Sequence, residues 1–175
     1  MANQLEHLNE TGWGSNPSAG NFEVMYIKET EECLVVSTKD KDMFGGVLDT
    51  GFNGMALAST RWLEAYERFL RAQGVISRKL NCEDVRVQRF VFGNGNHKDS
   101  TKKVWLPIYF GGKYHHAQCR LIEGNTELLL GRLRCEENGA ILAVRRNEIQ
   151  FGKTGCWEKL RMNTRGHLAL SLDPQ

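Results

Sequence analysis

Short apolar runs of period two fill most of the chain, interrupted by one stretch of helical period. Over residues 59–73, Trp62, Leu63, Tyr66, Phe69 and Leu70 fall at i, i+1, i+4, i+7 and i+8, one face of a 3.6-residue helix. Glu64 with Arg68 and Glu67 with Arg71 supply i,i+4 charge pairs for the opposite side. Ser59 or Thr60 can cap the start and Gly74 can stop the end. The remaining runs predict strands. Residues 22–27 and 33–38 flank a charged stretch and read as a hairpin, and residues 44–48 form a short apolar strand that ends in Asp49, Thr50 and Gly51.

After the helix, Val85, Val87, Arg89 and Val91 alternate with Arg86, Gln88 and Phe90, and residues 103–110 return as a second strand. Gly93, Asn94, Gly95 and Asn96 lie at the turn between them. Residues 114–122 predict another strand and residues 128–130 an apolar run stopped by Gly131. Residues 132–138 are long enough for a short helix ended by Gly139, and residues 140–144 and 148–151 close a last hairpin. Residues 1–20 are rich in Gly, Ser, Asn and Pro and predict a flexible leader. Beyond Gly152 the chain is polar until Leu168, Leu170 and Leu172 repeat at period two, one strand that must pair with something. These patterns divide the chain into a leader over 1–20, a domain over 21–152 and a tail over 153–175.

Composition narrows the function classes. With 175 residues the chain has room for one domain and none for a second large catalytic one. A net charge of +2, from 23 basic and 21 acidic residues, is too close to neutral for a chain whose main work is coating nucleic acid or an anionic membrane. The five cysteines (Cys33, Cys82, Cys119, Cys135, Cys156) are odd in number and lack CxxC spacing, and no apolar segment follows a basic start. This argues against secretion and a disulfide framework, for reduced thiols, and for a cytoplasmic location without a membrane span.

Chemistry concentrates in two places far apart in sequence: Val47, Leu48, Asp49, Thr50, Gly51, and Leu128, Leu129, Leu130, Gly131, Arg132. Asp-Thr-Gly alone is a common turn. Its order with a glycine-tipped hairpin, Leu-Leu-Gly-Arg, a short helix and a closing hairpin is more specific. Over residues 22–151 this order resembles the retropepsin-like aspartic proteases: the retroviral and retrotransposon enzymes, the cellular DNA-damage-inducible type and short bacterial relatives. The resemblance implies a mainly β fold, a closed acid-protease barrel with a flap hairpin, one prominent helix and one short helix.

It also implies an aspartic endopeptidase. Hydrolysis of an unactivated amide needs a base for the water proton and an acid for the carbonyl oxygen and the leaving nitrogen. Two adjacent carboxylates sharing one proton can be both, and the aspartic-protease dyad is a well-known instance. Asp-Thr-Gly occurs once, so the second carboxylate must come from a second chain, which predicts a C2 homodimer acting on an extended polypeptide. No cofactor and no metal is implied.

By the same resemblance Asp49 is the catalytic acid, Thr50 bonds across the dimer axis, and Gly51 lets backbone approach the carboxylate. Phe52, Asn53, Leu130, Gly131 and Arg132 border the substrate, and Gly93, Asn94 and Gly95 form the flap tip. The tail strand carrying Leu168, Leu170 and Leu172 is then available to the dimer interface. Two departures stand out: Phe52-Asn53-Gly54 replaces the retroviral Ala or Ser, and Asn53 stands where retroviral members carry an aspartate paired with the arginine matched by Arg132. Two other readings accompany the protease. One is a catalytically silent dimeric domain of the same fold that binds peptide or assembles. The other is a retroelement-associated nucleic-acid module using Arg132, Arg134, Arg145 and Arg146, which the near-neutral charge disfavours. His115, His116 and Cys119 lie on one strand, where neighbours face opposite sides, which argues against a metal site.

Overall fold

The long helix forms over the span its pattern predicts. In the computed structural model, which describes residues 21–24, 44–152, 154–163 and 165–174, α1 (Thr60–Ala72) starts at Ser59, whose side chain accepts from Trp62 N at 3.1 Å. It ends in a Schellman turn: Val75 N donates to Leu70 O and Gly74 N to Arg71 O, with Gly74 at φ +70. Trp62, Leu63, Tyr66 and Leu70 are buried as expected. Glu67 is buried too, because its Oε1 accepts from Leu80 N at 2.8 Å while Arg71 stands 3.7 Å from its other oxygen.

Along the described residues run β1 (Asn21–Val24), β2 (Gly45–Asp49), β3 (Ala56–Ser59), β4 (Cys82–Phe92), β5 (His97–Phe110), β6 (Lys113–Ile122) and β7 (Leu128–Gly131). After β7 come α2 (Arg132–Glu137), β8 (Ala140–Ala143), a 3-10 turn (Val144–Arg146), β9 (Glu148–Phe151), β10 (Trp157–Met162) and β11 (Leu168–Ser171). They form one mixed sheet in the order β1-β4-β5-β6-β3-β7-β2-β11-β10-β9-β8. The fold is mainly β with two helices, as the pattern predicts. The leader, the stretch 33–38 and most of the hairpin expected with it lie outside the described residues.

The closed barrel expected from the sequence is not formed among the described residues. Closure needs the first and last strands to pair, whereas β1 pairs only with β4 and β8 only with β9. The segment after Gly152, set apart from the domain in the sequence reading, is part of the sheet. β11 lies between β10 and β2, so both of its edges are used within the chain rather than kept for a partner. Leu170 and Leu172 are fully buried, and Leu172 N donates to Phe44 O.

The sheet buries both faces around β7 by strict alternation. Leu128 and Leu130 join the larger core with α1, Val104, Leu106 and Ile108. Leu129 points the other way, into a second cluster with Val47, Phe52, Leu57, Phe90, Phe92, Ile122 and Ala169. That second face carries the candidate site.

Candidate active site

β2 ends at Asp49 beside β7. The two strands are parallel, with Val47 opposite Leu129, Leu48 opposite Leu130 and Asp49 opposite Gly131, so the two sequence motifs meet in register. The loop after β2 then turns back on the carboxylate. Asp49 Oδ1 accepts from Gly51 N at 3.0 Å and Phe52 N at 3.2 Å, and Phe52 N also reaches the Asp49 carbonyl at 3.1 Å, an Asx-type turn. The other oxygen, Oδ2, is buried with no hydrogen-bond partner.

Burial pushes the Asp49 carboxyl above its ordinary value of 3.8, opposed by the Gly51 and Phe52 amides and by the charge of His167. Taking a carboxylate oxygen from water without giving it a donor disfavours the ion. A proton held on or near Oδ2 relieves that cost.

The backbone bonds Gly131 N to Met55 O (3.0 Å) and Arg132 N to Phe52 O (2.8 Å) lock the loop onto the end of β7. From the side chains, Arg132 Nε donates to Asn53 Oδ1 at 3.0 Å and its Nη1 lies 3.0 Å from Glu136 Oε1. The asparagine therefore accepts a hydrogen bond where an aspartate would form an ion pair. Phe52 seals the underside: it is 1 % exposed and meets Phe90 edge-on, with ring centroids 5.9 Å apart.

The expected site residues are thus partly gathered and partly dispersed. Asp49, Thr50, Gly51, Phe52, Asn53, Gly131 and Arg132 share one loop and strand end. Thr50 and Asn53 are exposed and Gly51 half-buried. Phe52 and Gly131 are buried under the loop rather than bordering it, and Leu130 faces the opposite core. Gly93, Asn94 and Gly95 are exposed at the tip of the β4–β5 hairpin, where Phe92 N donates to Asn96 O and Gly95 takes φ +82. The end of β4 next to that turn reaches the Asp49 face through Phe90 and Phe92. A small apolar crevice lined by Leu48, Leu130 and Cys135 lies on the other face.

Sequence reasoning missed His167, whose charge acts on Asp49 from the turn before β11. The leucine repeat that follows predicts a strand but not its partner. Three of the four arginines read as a basic cluster hold acids: besides Arg132, Arg134 lies 2.8 Å from Glu137 and Arg146 3.0 Å from Glu148. His115 stacks on the Phe110 ring, His116 is exposed and Cys119 is buried, so the three do not converge. No helix among the described residues is long and apolar enough to cross a membrane. Comparison with protein-family models, with curated proteins and with solved structures finds no match.

Proposed function

We propose that this chain is an aspartic endopeptidase of the retropepsin-like type, in which two copies each contribute Asp49 to one site on a two-fold axis. One observation carries this reading. The Asp-Thr-Gly carboxylate stands in register with the glycine of Leu-Leu-Gly, one oxygen pinned by backbone amides and the other left without a donor. An acid so held is oriented by its own loop and poised to keep a proton, which half of a shared-proton pair requires.

The reaction follows from that pair. The ionised Asp49 takes a proton from water as the water oxygen bonds to the scissile carbonyl carbon, and the protonated Asp49 gives its proton to the carbonyl oxygen. The gem-diol collapses as the proton gained from water passes to the nitrogen, the C–N bond breaks, and the second hydroxyl proton returns to the pair. No covalent enzyme intermediate and no cofactor enter. Oδ2 is enclosed in the single chain, so sharing requires the loop at Thr50–Asn53, with Thr50 and Asn53 exposed, to open as the second copy arrives.

In the same reading the β4–β5 hairpin is the flap. The end of β4 next to its turn shares the apolar cluster of the Asp49 face, and the exposed Gly93–Asn96 turn would lie over an extended peptide. The finer fold is then retropepsin-like, and the setting is cytoplasmic.

Digestion of an unstructured peptide library between about pH 4 and 7 tests the proposal. Cleavage that disappears in Asp49→Asn supports it. A folded dimer that cleaves nothing across that range points to the silent peptide-binding domain instead.

A further inference from the structure

We propose that His167 belongs to the Asp49 site as an auxiliary residue, brought beside the Asp49 carboxyl by the pairing of β2 with β11 and acting on it through its charge. This rests on Asp49 being the working acid.

Three neighbouring strands place it there. Val47 in β2 stands opposite Leu129 in parallel β7 and opposite Ala169 in antiparallel β11. All three side chains lie in the same buried cluster, so they form one row on one face. Side chains return to that face every second residue. The next row on that face therefore holds Asp49 and Gly131, and His167, two residues before Ala169 in the turn that leads into β11, comes up beside it. Gly131 has no side chain to fill the space beside Asp49, and both Asp49 and His167 are half-buried.

The turn that presents His167 is built rather than frayed. Asn163 Oδ1 accepts from His167 N at 2.9 Å and Arg165 N at 3.0 Å, and Asn163 N donates to His167 O at 2.9 Å. Asn163 Nδ2 reaches Glu127 Oε2 at 3.3 Å, which ties the turn to the residue before β7. Both neighbours of Asp49, β7 and β11, are thereby fastened to one another around it.

The other charged groups near this row are accounted for by element. From α2, Arg132 is taken by Asn53 and Glu136. In the turn with His167 stands Arg165, and from just before β7 comes Glu127, engaged by Asn163. On β2 itself the loop contributes only the Gly51 and Phe52 amides. His167 acts on the carboxyl from the β11 side. When charged it opposes the burial that drives Asp49 toward its neutral form. Losing that charge moves Asp49 protonation, and with it both limbs of the activity profile, to higher pH.

The test is a pH titration of the Asp49 side-chain carboxyl by 13C NMR on the full chain, assigned with Asp49→Asn. In His167→Gln the Asp49 midpoint should rise above that of the unaltered chain, and in His167→Lys, which keeps the charge, it should not rise. Equal midpoints in the unaltered chain and His167→Gln overturn the proposal. Should His167→Gln fail to fold, the unaltered chain decides. Raising NaCl from about 0.01 M to about 1 M shortens screening from roughly 30 to 3 Å; a rising Asp49 midpoint supports the pair and an unmoved one overturns it. None of these readouts needs peptide cleavage. A coupled but inactive chain would refute the protease and leave His167 standing, and an active chain without coupling would do the reverse.

Discussion

Gly131 stands opposite Asp49 across the parallel pair of β2 and β7, and the space where a side chain would go is already filled. A Cβ at this position would run into the Gly54 carbonyl oxygen and come within 2.7 and 2.8 Å of the Phe52 ring and carbonyl. Two of those three atoms are backbone, so the loop itself must move. Gly131→Ala is expected to cost about 3 kcal/mol, the upper range for overpacking a filled site, and to lower any cleavage rate more than binding, because the displaced loop carries the carboxylate. Denaturant unfolding and steady-state kinetics of this one variant check both effects.

The raised Asp49 value has a stability consequence whose sign is fixed. Folded Asp49 binds its proton more tightly than it does unfolded, where the ordinary value is 3.8. Between the two values the folded state holds more protons, so stability falls as pH rises through that window and stays lower above it. Stability of the unaltered chain relative to Asp49→Asn should therefore decline as pH rises from below 3.8 to neutrality. Paired unfolding curves at several pH values measure it, and a relative stability that grows with pH contradicts the buried, donor-poor Oδ2.

Asn53 and Arg132 offer a milder test. Their hydrogen bond is on the surface, with the arginine side chain 42 % exposed. Asn53→Asp converts it to an ion pair and Asn53→Ala removes it, and each should change stability by less than about 1 kcal/mol. A larger loss in Asn53→Ala, read from chemical unfolding, would mean that this contact holds the loop on its own, without the backbone bonds from Gly131 and Arg132.

The end of the chain should behave as core. β11 is hydrogen-bonded on both sides and Leu172 is fully enclosed. Leu172→Ala is expected to cost roughly 2–5 kcal/mol, and deleting residues 166–175 to unfold the chain rather than merely weaken association. Circular dichroism of the truncated chain distinguishes the two: an intact fold with altered mass in solution would favour a strand held for a partner.

Much of this architecture was legible locally and little of it globally. α1 declared itself through period, cap and stop, and β2, β7, α2 and the β8–β9 hairpin through apolar runs bounded by glycine. β3 escaped notice because its four buried residues, Ala56 to Ser59, are mostly small and carry no alternation. β10 was missed because only Leu160 of its six residues is buried, leaving a strand that reads as polar tail. Sheet order depends on which edges meet, a long-range choice that no local period encodes. The site divides along the same line. The Asp49 loop was visible because a carboxylate, a threonine and a glycine fall together in sequence, and Gly131 and Arg132 because their motif resembles its usual companion. Phe52 and Leu130, read as bordering substrate, are apolar residues that the packing assigns to the two cores. His167 could not be found without knowing that β11 runs antiparallel beside β2.

Mixing the unaltered chain with Asp49→Asn tests the central claim most directly, since each working site needs one acid from each of two copies. With total protein held constant above the dissociation constant and the two chains equimolar, random pairing leaves about one quarter of sites with both acids. Peptide cleavage should fall to that fraction of the unmixed rate. Cleavage falling only to one half, as it would if every chain worked alone, or the absence of cleavage by the unmixed chain, would contradict the account.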